Sequence, residues 1–275
     1  MSRESYADAR EETAVALTIA GTDPTGAAGI NADLQAFRDC GVHGAAAITA
    51  VLWQNTQGVN GWRAVEPDEL RGQLMAVADD LKLAAVKIGM VPTAELVDVV
   101  ANFIGELDES VSVVFDPVMA SGGGDRELTT ASARERFEVL AGRVDLITPN
   151  VPEACQLVGD VDEEEPEELA RRLMEAGWRR VMLKGGHLGG GNGRIVDWYA
   201  QDGYVEPLPA LQRVDADVRG TGCQLSSAIA AWCATGGGWR DAVANARLYL
   251  NDLLVTRAKS IGEGRPLVVR VGDRR

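Results

Sequence analysis

The sequence is poor in the residues that hold zinc or cross-link secreted domains. Two histidines and four cysteines occur in 275 residues, and Cys40, Cys155, Cys223 and Cys233 form no C-x-x-C pair. Neither a zinc site nor a disulfide framework is expected. Long apolar runs are missing too. Residues 1–14 are a polar extension without the apolar core of an export signal, and the longest apolar stretch, Ala45 to Trp53, is too short to span a bilayer. A soluble, cytoplasmic protein with no membrane partner is expected. There is no Pro/Ser-rich linker, repeat or low-complexity block, so residues 15–275 read as one α/β domain. Lysine is scarce: Lys82, Lys87, Lys184 and Lys259 are the full set. With Asp+Glu at 41 against Lys+Arg at 27, the net charge of −14 argues against nucleic acid or anionic membranes as main partners.

What is present is an alternation of short apolar strands and amphipathic helices. Val15 to Ala20 reads as a buried strand, followed by a glycine-rich loop from Gly21 to Gly29 and a helix carrying Ile30, Leu34 and Phe37. The loop is neither a P-loop nor a dinucleotide fingerprint. Asp33, one turn into the helix, reads from local sequence as solvated. Further strands are read at Ala45 to Leu52, Ala85 to Met90, Val111 to Phe115, Asp145 to Ile147 and Val181 to Lys184. A hairpin turns at Gln201 to Gly203, and a last strand runs from Pro266 to Val271. Helices are read from Pro67, over Leu96 to Leu107, and from Trp239 to Lys259. Such alternation gives a mostly parallel sheet covered on both faces.

Candidate residues recur at strand ends. Gln54 stands after the second strand, where its amide can both donate and accept. Asp116 follows an apolar strand directly and is backed by Pro117, a suitable place for a metal-directed carboxylate. Asn150 and Glu153 open a short helix through two prolines; capping is the alternative role for Glu153. Lys184 ends a strand before Gly185, Gly186 and His187, where a phosphate contact is plausible. The acidic run Asp160 to Glu168 reads as a solvated loop leading into a helix at Pro166. The most telling stretch is Gly220, Thr221, Gly222 and Cys223. A helix beginning near Gly222 presents open backbone N–H groups to an oxyanion, and its field should favour the Cys223 thiolate.

In unbroken order, Ala20 to Ile30, Gln54 to Thr56, Lys87 to Met90, Asp116 to Met119, Ile147 to Ala154, Leu183 to His187 and Gly220 to Cys223 resemble the hydroxymethylpyrimidine/phosphomethylpyrimidine kinases. That resemblance implies a single ribokinase-like domain and phosphorylation of 4-amino-5-hydroxymethyl-2-methylpyrimidine and then its monophosphate, in thiamine biosynthesis. It implies ATP and Mg2+ as cofactors and a homodimer. Asp33, Gln54 and Met90 would hold the pyrimidine; Asp116 and Glu153 would serve magnesium; Lys184, Thr221 and Asn150 would face ATP. Gly220, Gly222 and Cys223 would form the catalytic anion hole, with Cys223 where related sugar kinases have an aspartate base. The chain departs from the pattern at Ala120 to Gly124, at Arg219, where members often have histidine, and in the short segment Gly262 to Pro266. A pyridoxal/pyridoxine kinase is the alternative enzyme. A pyrimidine-binding sensor without catalysis is the alternative from another class.

The acidic excess predicts a salt response. Screening of surface carboxylates should raise the thermal midpoint as KCl goes from low to molar concentration. A midpoint that is flat or falling would leave a GC-rich genome as the account of the scarce lysine.

Overall fold

Alternate residues of each central strand face opposite sides of one sheet, and both sides are apolar. Leu17, Ile19, Val86, Ile88, Val113, Phe115, Ile147, Val181 and Leu183 join one buried cluster, whereas Ala16, Ala85, Val114, Leu146 and Met182 join another. This is the period of two expected of strands buried on both faces. The computed structural model describes residues 13–121, 126–159, 165–185, 193–212, 214 and 217–270. The acidic run from Asp160, the glycines at 122–124, and Gly186 and His187 fall wholly or partly outside those residues.

In chain order the strands are β1 (Val15–Gly21), β2 (His43–Gln54), β3 (Val59–Ala64), β4 (Ala85–Ile88), β5 (Ser112–Phe115), β6 (Leu146–Ile147), β7 (Arg180–Leu183), β8 (Arg194–Ile195), β9 (Trp198–Gln201), β10 (Tyr204–Pro207), β11 (Leu211–Gln212), β12 (Ala258–Lys259) and β13 (Leu267–Val268). The helices are α1 (Gly29–Asp39), α2 (Pro67–Ala78), α3 (Ala94–Glu106), α4 (Ala131–Arg136), α5 (Val151–Leu157), α6 (Pro166–Glu175), α7 (Thr221–Ala234) and α8 (Trp239–Arg257). Nine strands form the main sheet in the order β10-β9-β7-β6-β5-β4-β1-β2-β3. The run from β7 to β2 is parallel; β3, β9 and β10 are added antiparallel at the two margins. The chain leaves β1 for β2 on one side and returns to β4 on the other. Such a reversal, outside the carboxyl ends of β1 and β4, is the place where open α/β sheets bind ligands.

Helices α2, α3 and α6 cover one face with Leu70, Leu74, Leu96, Val100, Phe103, Leu169 and Leu173. On the same side, Phe115 meets Phe137 edge-on at 5.0 Å and stacks on Trp178 at 5.9 Å. The other face carries α1, α7 and α8 through Phe37, Leu225, Ile229, Val243 and Ala246.

Two local readings need correction, and one strand was not read at all. The last helix ends at Arg257 because Ala258 and Lys259 turn extended and pair with Val268 and Leu267, so the closing strand belongs to a small separate hairpin. The stretch after Gln54 is a turn into β3, whose mixed composition hides a strand that pairs antiparallel with β2. Asp33 is not solvated. It is 0 % exposed and pairs with Lys87, also 0 % exposed, at 2.9 Å. Thr18 Oγ1 and Ser227 Oγ donate to the same carboxylate at 2.6 and 2.7 Å. Helical periodicity cannot reveal this, because a carboxylate joins an apolar face only when distant residues neutralise it.

Removing one member of such a pair strands the other. Asp33→Ala is expected to cost about 3–5 kcal/mol in urea unfolding, and the Asp33→Leu/Lys87→Met double replacement clearly less. A single-variant loss under about 1 kcal/mol would show that Lys87 finds water or another partner.

Candidate active site

The site is built on the start of α7. Gly220, its N-cap, has φ 77°, a conformation that favours glycine, and a Cβ there would overlap the Ala27 carbonyl oxygen. The glycine loop can therefore lie directly on the helix terminus. Asp23 shapes that loop: its carboxylate accepts the backbone N–H groups of Thr25, Ala27 and Ala28 at 2.8–3.2 Å and the Thr25 hydroxyl. Asp23 was not among the expected site residues, although an aspartate two residues before a turning threonine is a readable Asx-turn signal.

Three strand ends converge beside this terminus. A Cβ on Gly222 would lie 3.3 Å from Asp116 Oδ2 and 3.5 Å from Lys184 Nζ, so the second helical residue, Asp116 after β5 and Lys184 after β7 share one place. Lys184 Nζ donates to Asp116 Oδ1 at 2.9 Å and stands 3.7 Å from Glu153 Oε2. Thr148 Oγ1 and Ser226 Oγ also reach Asp116, at 3.2 and 3.4 Å. Burial opposes ionisation of Asp116, but Lys184 and Lys87 outweigh it and hold the carboxyl below the usual range. Glu153 goes the other way. Burial pushes it up to about 7 against the pull of Lys184, and the Asp116 charge adds to the rise. Glu153 also completes a capping box with Asn150: Asn150 N–H donates to Glu153 Oε2 and Glu153 N–H to Asn150 Oδ1, each at 2.8 Å. The capping role thus coexists with a position facing Lys184.

Cys223 differs from the expectation of a thiolate. Burial pushes its thiol up to about 11; Lys87 pulls it down, but the Asp33 and Asp116 carboxylates push it further up. The hydrogen bond from the Gly29 N–H lowers it but does not compensate. The site holds a neutral thiol.

The opposite wall comes from β1, β2 and the residues after β4. Met90 is 5 % exposed, packs with Leu52 and lies over Gly21, where a Cβ would stand 3.1 Å from its sulfur. Gln54 ends β2 just past a register shift between Trp53 and Gln54. Its Oε1 accepts from Arg219 Nη2 at 2.8 Å, a contact no local motif suggests. Thr221 is the first residue of α7 and half-buried. The structure therefore gathers Asp116, Glu153, Asn150, Lys184, Thr221, Gly220, Gly222 and Cys223 at one terminus and ties Gln54 to it through Arg219. Asp33 is kept beneath: a direct contact from it to a bound heterocycle would displace Lys87, Thr18 or Ser227. Thr148 and Ser226 are site residues that local sequence did not reveal, since serine and threonine at strand and helix ends are common.

Asp116 and Glu153 suit a magnesium ion, which takes hard oxygen donors and commonly only one or two carboxylates, leaving the rest of its shell to phosphate and water. Among the described residues no cluster of three or more metal-ligating side chains exists, so a cation here would depend on its phosphate ligand.

A doubly wound sheet whose carboxyl edge carries a glycine-led helix terminus, a lysine and two carboxylates defines a ribokinase-like fold, the fold of the solved structures most like it. The chain superimposes on the ADP complex of Bacillus subtilis pyridoxal kinase with TM-score 0.81, at 28 % identity over 93 % of this chain and 96 % of that one. Phosphomethylpyrimidine kinase from Clostridium difficile 630 gives TM-score 0.75 at 31 % identity, over 87 % and 99 %. The hydroxymethylpyrimidine/phosphomethylpyrimidine kinase of Escherichia coli (strain K12) is 37 % identical over 87 % of this chain and 90 % of its own length. The phosphomethylpyrimidine kinase family model matches residues 23–268, and the chain belongs to that family.

The raised thiol gives a pH prediction. Only thiolate is alkylated, so modification of Cys223 by iodoacetamide should climb about tenfold per pH unit from 7 to 10, instead of levelling near the ordinary value of 9.0. Peptide mass spectrometry follows it. A rate already flat at pH 7 would restore the thiolate and its helix-terminus activation.

Proposed function

We propose that this enzyme uses ATP and Mg2+ to phosphorylate 4-amino-5-hydroxymethyl-2-methylpyrimidine and then its monophosphate, in thiamine biosynthesis. The observation that carries the reading is Lys184 held between Asp116 and Glu153 beside Gly222, with the neutral Cys223 thiol one residue further. Phosphoryl transfer needs in-line positioning and donors aimed at developing charge more than covalent help. The open N–H groups at Gly220, Gly222 and Cys223 supply such donors. Lys184, Thr221 and Asn150 face the nucleotide, where the Lys184 ammonium would meet phosphate oxygens. Magnesium, when bound at Asp116 and Glu153, supplies neutralisation of charge on the phosphate oxygens.

Gln54 and Met90 hold the heterocycle, with Asp33 supporting the floor from below. Cys223 accepts the hydroxymethyl proton through its minority thiolate form, and a loose transition state asks little of that base. A neutral thiol also suits the second step: a carboxylate in its place would repel the monophosphate dianion. Two exposed apolar residues of β2, Val51 and Trp53, lie beside the marginal strand β3 and favour a homodimer through that edge.

The test is coupled ADP release with a panel of hydroxymethylpyrimidine, its monophosphate, pyridoxal and pyridoxine. The highest kcat/KM is expected for the pyrimidines, and Asp116→Asn should raise the magnesium needed for half-maximal rate while lowering kcat. Preference for the B6 vitamers would make this a pyridoxal kinase. Binding without turnover would make it a sensor.

A further inference from the structure

Arg219 is buried, 6 % exposed, and lies immediately before the glycine-led terminus of α7. Its backbone N–H donates to Pro266 O at 3.0 Å, and its Nη2 donates to Gln54 Oε1 at 2.8 Å. A guanidinium has donors and no acceptor, so only the oxygen of the Gln54 amide can face it. The amide is thereby fixed in one of its two orientations, with Nε2 turned away from Arg219. The turn that carries Gln54 is itself fastened. Thr56 accepts from Arg265 N–H at 2.9 Å and from Gly264 N–H at 3.1 Å, and a Cβ on either Gly262 or Gly264 would strike Thr56. Arg219 Nε is buried without a partner among the described residues. Burying a guanidinium with a donor unspent is a poor solution for packing alone.

We infer that Arg219 is a specificity-determining positioning residue: it locks the Gln54 amide as a hydrogen-bond donor toward the crevice, so that the site selects heteroaromatic rings presenting a nitrogen lone pair at that edge. This rests on the proposed function and adds how the ring is told apart from its isosteres. A donor facing a ring nitrogen makes a bond that a ring C–H cannot accept. A freely turning amide would offer oxygen as readily as nitrogen and discriminate less.

The experiment compares kcat/KM for 4-amino-5-hydroxymethyl-2-methylpyrimidine and for its analogue with the ring nitrogen beside the amino group replaced by C–H. Wild type should prefer the pyrimidine by roughly 10- to 100-fold, the scale of one buried hydrogen bond, with KM for ATP alike in both assays. Arg219→Lys, still a pure donor, should keep the ratio within about threefold. Arg219→Glu, an acceptor, turns the amide over and should bring the ratio near one. Should that variant fold poorly in thermal unfolding, Gln54→Glu supplies the same reversal with its carboxylate paired to Arg219, and the ratio should again approach one. A wild-type ratio near one, or a ratio that fails to separate Arg219→Lys from the acceptor-bearing variants, overturns the inference while leaving a kinase active on the pyrimidine. Wild type inactive on every hydroxymethyl heterocycle overturns the proposed function and this inference together.

Discussion

The Asp33 carboxylate, fully buried, joins four elements. It belongs to α1 and receives Thr18 of β1, Lys87 of β4 and Ser227 of α7. A carboxylate and an ammonium removed from water are tolerable only if both are paired and hydrogen-bonded, and here they are. The geometry this demands is strict, because hydrogen bonds to an ion weaken quickly with distance and angle. Ser227 lies one turn beyond Cys223, so the network fixes the height of α7 against the strand ends. The start of that helix, with Gly220 pressed on Ala27, then stands beside Asp116 and Lys184.

Charge in the crevice is arranged in two tiers. Below, Asp33 and Lys87 cancel each other. Above, Asp116 and Glu153 share Lys184, which leaves Glu153 poorly neutralised and holding its proton far above an ordinary carboxyl. Cys223 lies between the tiers and feels both: burial and the two aspartates outweigh the lysine, so the thiol is neutral. A site of this kind carries little net charge, since each of its two lysines faces a carboxylate. The acidic surface gives no help in drawing anions to the crevice; local donors have to do so.

Much of the architecture was legible in the sequence. Apolar runs at β1, β4, β5 and β7 alternate with helical periodicity, and in a parallel sheet every strand end that follows such a run lies on one edge. Asp116 and Lys184 could be marked for that reason, and Gly220 to Cys223 because glycines before an apolar helix open its terminus. β3 was missed because its composition is that of a turn, and it becomes a strand by pairing with β2. Of the small hairpin near the C-terminus, the strand at Leu267 and Val268 was legible, whereas Ala258 and Lys259 continue a helical pattern and become extended only by pairing with it.

The sequence by itself determined the alternation of the central strands and helices, the edge on which the chemistry gathers and the membership of the family, since periodicity and motif are local properties of the chain. The tertiary structure decided what each charged group does. Asp33 meets Lys87 across 54 positions and Ser227 across 194, and Gln54 meets Arg219 across 165. No local rule connects such residues, and their burial and ionisation depend on those meetings. Thus Asp33 became a buried support and Cys223 a neutral thiol, because protonation follows from desolvation and neighbouring charge, which exist only once the chain has folded.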